Sequence, residues 1–370
     1  MSSTLTALYL RLTGLVERTK RWHWLWPPIG FAAGICSFFL VNRQQWLGGM
    51  LALGMMLAWL ILIAEGLWSR LRRHRGQNAL PRKLATFVAQ LIQQETLCFT
   101  LPFFLATTDW ASGQAGFTLL LCGATLLSIL DPFYYRLAER HRWLYFGFHA
   151  LCVFVVVLVT LPLLLELTTG ESLLAACAAM SLFALPSVAN LRIARGVVGG
   201  LAMIGISVML GVGAWGARAW IPPATLWINA SSLSPDFDTA ARAPRGEMQL
   251  TPAQLSARGL YAFTAIRAPR GLSEKVYHVW RHDGEVVDRI ALNINGGRSE
   301  GYRAWTHKTA FPQGSEGEWR IDVETMNGQR IGSLRFVVSD DPQLATLADS
   351  TISQPPGIPG WRITNLIPGL

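Results

Sequence analysis

Seven apolar stretches, each long enough to cross a bilayer by itself or with its flanks, fill the first 221 residues and leave that part of the chain little choice of fold. They run roughly over 24–41, 46–68, 84–107, 114–130, 144–166, 172–191 and 196–221. A helix rises about 1.5 Å per residue and a hydrocarbon core is about 30 Å thick, so about 20 apolar residues span it. Charged residues make up only 15% of the chain, against about 25% in soluble domains. The expected fold class of residues 1–221 is therefore a membrane all-α bundle of seven transmembrane helices. The first stretch is long for a signal peptide and lacks a small-residue cleavage pattern, so it is read as retained.

The net charge of +9 invites a nucleic-acid reading, and its distribution removes that reading. Residues 1–221 hold 17 Lys and Arg against 8 Asp and Glu, whereas residues 222–370 hold 15 of each. No basic domain remains outside the apolar half to meet a phosphate backbone. The cations instead order the loops. With the amino terminus in the cytoplasm, the inside segments carry Arg11, Arg18, Lys20 and Arg21, then six between Arg70 and Lys83, then Arg136, Arg140 and Arg142, then Arg192 and Arg195. The short outside loops carry only Arg43, and Arg218 lies near the outer end of the seventh stretch. This asymmetry predicts an odd number of spans with the carboxy-terminal part outside. Trp22, Trp24, Trp26, Trp68 and Trp143 at inner ends, and Trp46, Trp110, Trp215 and Trp220 at outer ends, agree with it. All five cysteines fall inside expected spans, and no Cys/His metal spacing occurs.

Residues 222–245 are rich in Pro, Ser and Ala and read as a linker. From about 246 to 340 the period changes to two. Trp319, Ile321 and Val323 alternate with Arg320, Asp322 and Glu324, and Ile290, Leu292 and Ile294 alternate with Arg289, Ala291 and Asn293. Such runs are half-buried strands, and Asp283-Gly284, Asn295-Gly296 and Asn327-Gly328 are dipeptides suited to tight hairpins. The expectation is an all-β immunoglobulin-like sandwich. Residues 341–370, again rich in Pro and Gly, read as a flexible tail that is disordered or docks on a partner through Trp361, Ile363, Leu366 and Ile367.

The run His278-Val279-Trp280, then Tyr302-Arg303-Ala304-Trp305-Thr306, then Gly317 to Val323, closed by Asn327-Gly328 and Phe336, resembles a bacterial domain of unknown function found at the carboxy terminus of multi-span inner-membrane proteins. The apolar half resembles the membrane part of uncharacterised proteobacterial members of that group. The resemblance implies a Gram-negative inner membrane and an outward-facing, periplasmic sandwich. It implies no reaction.

Among candidate sites, Gln90, Gln93, Gln94 and Glu95 lie centrally in the third stretch. A carboxylate at mid-bilayer costs about 2.5 to 3.5 kcal/mol on insertion scales, so Glu95 is either a proton carrier, cation ligand or base, or part of a polar seam joining helices. Asp131-Pro132 reads first as a helix stop and second as part of the same polar membrane site. Gly196 and Gly200 form a GxxxG pair for close helix packing or an oligomer contact. In the sandwich, Tyr277, His278, Tyr302 and Trp305 are candidates for a periplasmic binding surface, with core packing as the alternative. No metal or cofactor is expected, since His278, His282 and His307 lack a usable ligand pattern. Paired carboxylates at glycosidase spacing, a phosphate loop, and serine-hydrolase or kinase signatures are absent. The functional expectation is non-enzymatic: a bundle in the lipid bilayer presents a recognition or docking module to an envelope protein or glycan. The alternative is a transporter or membrane-embedded enzyme centred on Glu95.

Overall fold

A computed structural model describes residues 82–191, 196–246 and 250–341, together with Ala32 and Gly54 alone. The stretches 24–41 and 46–68, most of the inner-loop cations and the tail with Trp361 lie outside the described residues.

The helical part comprises α1 (Arg82–Thr107), α2 (Gln114–Ile129), α3 (Asp131–Arg140), α4 (Arg142–Leu164), α5 (Thr169–Asn190) and α6 (Gly196–Gly216), followed by a 3-10 turn at Arg218–Trp220. Three of these, α4, α5 and α6, are long and apolar enough to cross a membrane, and α2 with α3 makes a fourth if the bent pair counts as one span. The seven-helix expectation is thus met among the described residues only to that extent. Helix α1 has the length, with 26 residues, but its glutamines and Glu95 keep it out of the strongly apolar set. Helix α4 is the axis of the bundle: 72% of its apolar window is buried, against 39% for α5 and 11% for α6. The run Cys152–Thr160 is buried all round, and α6 turns most of its surface outward.

Backbone chemistry sets the boundaries. Leu130 leaves helical geometry, Pro132 lies in the first turn of α3, where its missing N–H costs nothing, and α2 and α3 meet at 95°. Helix α5 begins with a full capping box between Thr168 and Glu171. Helices α5 and α6 approach closely at Gly211, where an added Cβ would lie 2.1 Å from Ser181 Oγ and 2.9 Å from the Cys177 carbonyl. Gly196 and Gly200, the expected packing pair, meet nothing within 4 Å among the described residues.

The carboxy-terminal part is a two-sheet sandwich. One antiparallel sheet has the order β1-β4-β7, from β1 (Trp227–Ser234), β4 (Leu260–Arg267) and β7 (Tyr302–Lys308). The other has the order β6-β5-β8-β9, from β5 (Ser273–His282), β6 (Glu285–Asn295), β8 (Gly317–Thr325) and β9 (Arg330–Val338). Leu226, Ile228, Ile266, Val276, Trp280, Ile321 and Phe336 fill the space between. A short helix α7 (Pro252–Arg258) precedes β4. The hairpin of β2 (Asp236–Asp238) and β3 (Ala243–Arg245) folds over the outer face of the three-stranded sheet, stacking Phe237 on Trp305 at 4.5 Å.

Two expectations need correction here. Residues 222–245 are not a linker: Trp227–Ser234 forms β1 and pairs along its length with β4. A register shift between Ile228 and Ala230 breaks the alternation, and Ser231 and Ser234 are buried. Asn295-Gly296 does not close a hairpin between adjacent strands, because β6 and β7 lie in different sheets. Asp283-Gly284 and Asn327-Gly328 do join neighbours, β5 to β6 and β8 to β9.

Candidate functional site: a polar cluster in the bundle and a buried seam to the sandwich

Helical spacing places Gln90, Gln93 and Gln94 on one buried face of α1. Across that face lie the α2–α3 bend and α4. Gln90 Nε2 donates to the Ser128 carbonyl at 3.0 Å and to Asp131 Oδ1 at 2.7 Å. Tyr134 Oη donates to Gln93 Oε1 at 2.6 Å, and Gln93 Nε2 stands 2.7 Å from His149 Nδ1. Since Tyr134 occupies the amide oxygen of Gln93, the amide N–H faces His149. His149 Nδ1 also lies 2.8 Å from the Tyr145 carbonyl. It accepts from Gln93 in one tautomer and donates to Tyr145 in the other, so the tautomer decides which bond exists. Tyr145 and Phe148 pack edge-on against Tyr134.

The structure therefore joins Gln90 to Asp131 as one polar site, and Asp131 also opens the bend that the Pro132 stop implies. Glu95 is half-buried on α1 and stands beside this cluster rather than at its centre. Gln94 is buried, and its Nε2 has no hydrogen-bond partner among the described residues. Tyr134 and His149 carry the cluster and were not singled out by the sequence reading. The available signal was His149, a titratable side chain only five residues into the mostly apolar 144–166 stretch. Chemically, a Tyr–Gln–His chain can pass or hold a proton, or grip a small polar solute, as well as pin helices together.

The sandwich candidates separate. His278 is fully buried, with Nε2 3.0 Å from Thr264 Oγ1 and Nδ1 2.9 Å from Thr306 Oγ1, so it ties the two sheets through the core. Burial lowers its pKa to about 3. Tyr277 lies on the outer face of the four-stranded sheet beneath Arg289, whose guanidinium is 4.1 Å from the ring. Trp305 belongs to the other sheet and is covered by Phe237. Tyr302 packs at the core edge under Arg298. These four residues do not form one platform. His307 stacks on Tyr261 and His282 on Trp319, and no group of three or more His, Cys, Asp or Glu is placed to hold a metal among the described residues.

The feature with the clearest geometry lies between the two halves. Glu274, at the start of β5, is buried and accepts from the Thr169 N–H at 2.8 Å and the Thr169 Oγ1 at 2.9 Å. That N–H is in the first turn of α5 and has no acceptor within its own helix. Burial pushes the Glu274 carboxyl above the usual carboxylate range, the two Thr169 bonds oppose this, and the charge of Glu171 adds to it. Around this pair, Gln114 Nε2 donates to the Arg330 carbonyl at 2.8 Å, Arg218 Nε to the Asn327 carbonyl at 2.7 Å, and Gln329 Nε2 to the Ile221 carbonyl at 3.1 Å. Arg330 also pairs with Asp109 at 3.7 Å. The β8–β9 hairpin thus sits on the ends of α2 and α5 and on the 3-10 turn.

Comparison with known proteins gives two family-model matches. Residues 273–338 match the model described as "Protein of unknown function (DUF2914)", which covers β5 to β9. No curated protein and no solved structure matches. The model described as "Family of unknown function (DUF5924)" matches residues 5–262, well over half of the chain. It runs through the helices and β1 into β4, so its edge falls inside the sandwich. The chain therefore belongs to the family of unknown function DUF5924 and carries a DUF2914 match at its carboxy-terminal end.

Proposed function

We propose that this protein is an integral protein of a bacterial inner membrane, with its amino terminus in the cytoplasm, that presents an immunoglobulin-like sandwich on the periplasmic side as a recognition module for an envelope protein or glycan. The buried Thr169–Glu274 pair carries the reading. A domain tied to its anchor by buried, charge-assisted bonds is held in one orientation, which suits docking against a fixed envelope structure. The long edge strand β6 offers the module's open side, with Val286 and Val287 exposed.

The test is photo-crosslinking in cells with a crosslinker at Val287. A discrete adduct that disappears in Glu274→Ala supports the reading, and the absence of any adduct at Val287 and at Val286 contradicts it. A reporter active only in the periplasm checks the orientation: it must work after Leu370 and fail in the 70–83 loop. A second reading, transport or catalysis within the membrane, draws on the Tyr134–Gln93–His149 chain beside Glu95. Tyr134→Phe and Glu95→Gln abolish function under that reading and leave the Val287 adduct intact under the first.

A further inference from the structure

The sandwich carries no net charge over residues 222–370, yet its charge is sorted by height. Glu274 seats β5 on the start of α5, so the beginning of β5 marks the end of the sandwich nearest the bundle. Strand pairing then places Arg267, Arg270, Arg298 and Arg303 at that end, with Arg242 brought beside them by the bond from Arg303 Nη1 to the Ala241 carbonyl at 3.2 Å. The same pairing places Asp283, Glu285, Glu316, Glu318, Asp340 and Asp341 at the opposite end. A sandwich standing on a membrane thereby turns five arginines toward the headgroups and six carboxylates away from them, while Glu274 and Glu300 stay at the basic end and Arg258 and Lys308 at the acidic one.

Within the basic end lies a cleft of about 440 Å³ whose charged lining is Arg242, Arg298, Arg303 and Glu300, with backbone from Gly297 and Ser299. That volume is in the range of small-molecule sites. Its walls are built. Arg303 bridges them, bonding Ala241 on one side and Glu300 Oε2 at 3.3 Å on the other. Asn229, nine residues beyond the 3-10 turn, donates to the Ser299 carbonyl at 3.1 Å and fixes the loop close to the bundle. Gly297, with φ +98°, packs against Arg270, and Gly271 next to it packs against Glu166 at the end of α4. Arg242 is held at φ +50°, a conformation that disfavours every residue except Gly and Asn-like ones, and the turn holds its side chain at the cleft. Glu300 is occupied by Arg303, which leaves the guanidinium groups of Arg242 and Arg298 to supply the cleft's positive field.

We infer that this cleft binds the phosphate of an anionic phospholipid headgroup in the leaflet beneath the sandwich. Guanidinium forks match phosphate oxygens, and the position of the cleft, one loop removed from the helix ends, puts it at headgroup height. The inference rests on the membrane reading above.

The experiment uses the full chain in detergent with phosphatidylglycerol and phosphatidylcholine of the same acyl chains, read by native mass spectrometry of retained lipid. Arg242→Gly removes a charge while relieving the positive φ, and Arg298→Gln removes a second without touching the Arg303 bridge. Each substitution lowers phosphatidylglycerol retention about fivefold relative to phosphatidylcholine, the ratio expected per basic residue at an anionic surface, and added salt lowers it further. Unchanged retention in the double variant, with unaltered melting, overturns the inference. So does tight binding of inorganic phosphate alone with no preference between the two lipids, which would make this a site for a soluble anion. Release of the wild-type protein from membranes by alkaline carbonate defeats the membrane reading instead, and is scored separately.

Discussion

Replacing Glu274 by Ala tests the seam between sandwich and bundle at its most buried point. The substitution removes two bonds, from the Thr169 N–H at 2.8 Å and from Thr169 Oγ1 at 2.9 Å, both in a buried setting. Hydrogen bonds to a charged acceptor contribute about 1.5 to 3 kcal/mol each, and a buried donor left unpaired carries its desolvation cost. The Thr169 hydroxyl can rotate toward another acceptor, whereas the N–H is fixed by the helix. The amide is thus the cleaner reporter, and because the first turn of a helix provides it no acceptor, Glu274 accounts for its protection. Site-resolved hydrogen exchange should show the Thr169 amide exchanging roughly ten- to hundredfold faster in Glu274→Ala, the ratio that 1.5 to 3 kcal/mol gives. Amides in the middle of β5 and of α5 stay protected, because each half keeps its own core. Glu274→Gln, which retains one acceptor, falls between. An unchanged Thr169 rate in Glu274→Ala, or collapse of protection throughout β5, would refute the assignment of this pair as the lock.

Other outcomes follow from single contacts. Burial depresses the pKa of folded His278 to about 3, against about 6.5 for an ordinary histidine, so its contribution is complete above that ordinary value and is lost on acidification toward the folded one. Urea unfolding of the full chain should lose stability with a slope approaching about 1.4 kcal/mol per pH unit below 6.5, and His278→Gln should flatten the slope. Glu274 has the opposite sign: burial raises its pKa above the ordinary carboxylate range, so its contribution to folded-state stability is present at low pH and is lost as pH rises through the folded value, and Glu274→Gln should remove that loss in urea unfolding of the full chain. Tyr134→Phe removes the buried donor to Gln93 and should destabilise the bundle by about 1 to 3 kcal/mol. Adding Gln93→Leu should cost less than the sum of the two single changes, since both sit in one network. Gly211→Leu drives a side chain into the Cys177 carbonyl and Ser181 and should lower thermal stability by about 1 to 3 kcal/mol; an unchanged melting temperature would mean that α5 and α6 do not meet there.

How much of this was legible depended on whether a residue's environment repeats along the chain. The alternation of Trp319, Ile321 and Val323 predicts one buried face, and all three are fully buried in β8. Strand β1 lacked that signature because its bulge shifts the register and its inward positions include Ser231 and Ser234. The stretch 84–107 is one helix, α1, and its polar face is buried as its spacing implies. The carboxylate of Glu95 draws attention away from the centre of the candidate site, where Gln93 of α1 meets Tyr134 from beyond the 95° α2–α3 bend and His149 from α4. Nothing in local sequence encodes these pairings, which span 41 and 56 positions. The seam at Glu274 was equally hidden: its partner is 105 residues distant, and a glutamate at a strand's start reads as solvated. Tyr277 and Trp305 look alike as aromatic surface residues, and only sheet order places them on different sheets.

The buried Thr169–Glu274 pair fixes the sandwich to its helical base. Electron–electron double resonance between spin labels at Ala111, in the α1–α2 loop, and Glu285, at the far end of β6, measures this directly in the full chain, with the native cysteines replaced. A single narrow distance distribution in membranes, which broadens in Glu274→Ala, is the predicted result. A broad distribution in the unaltered protein would contradict the account.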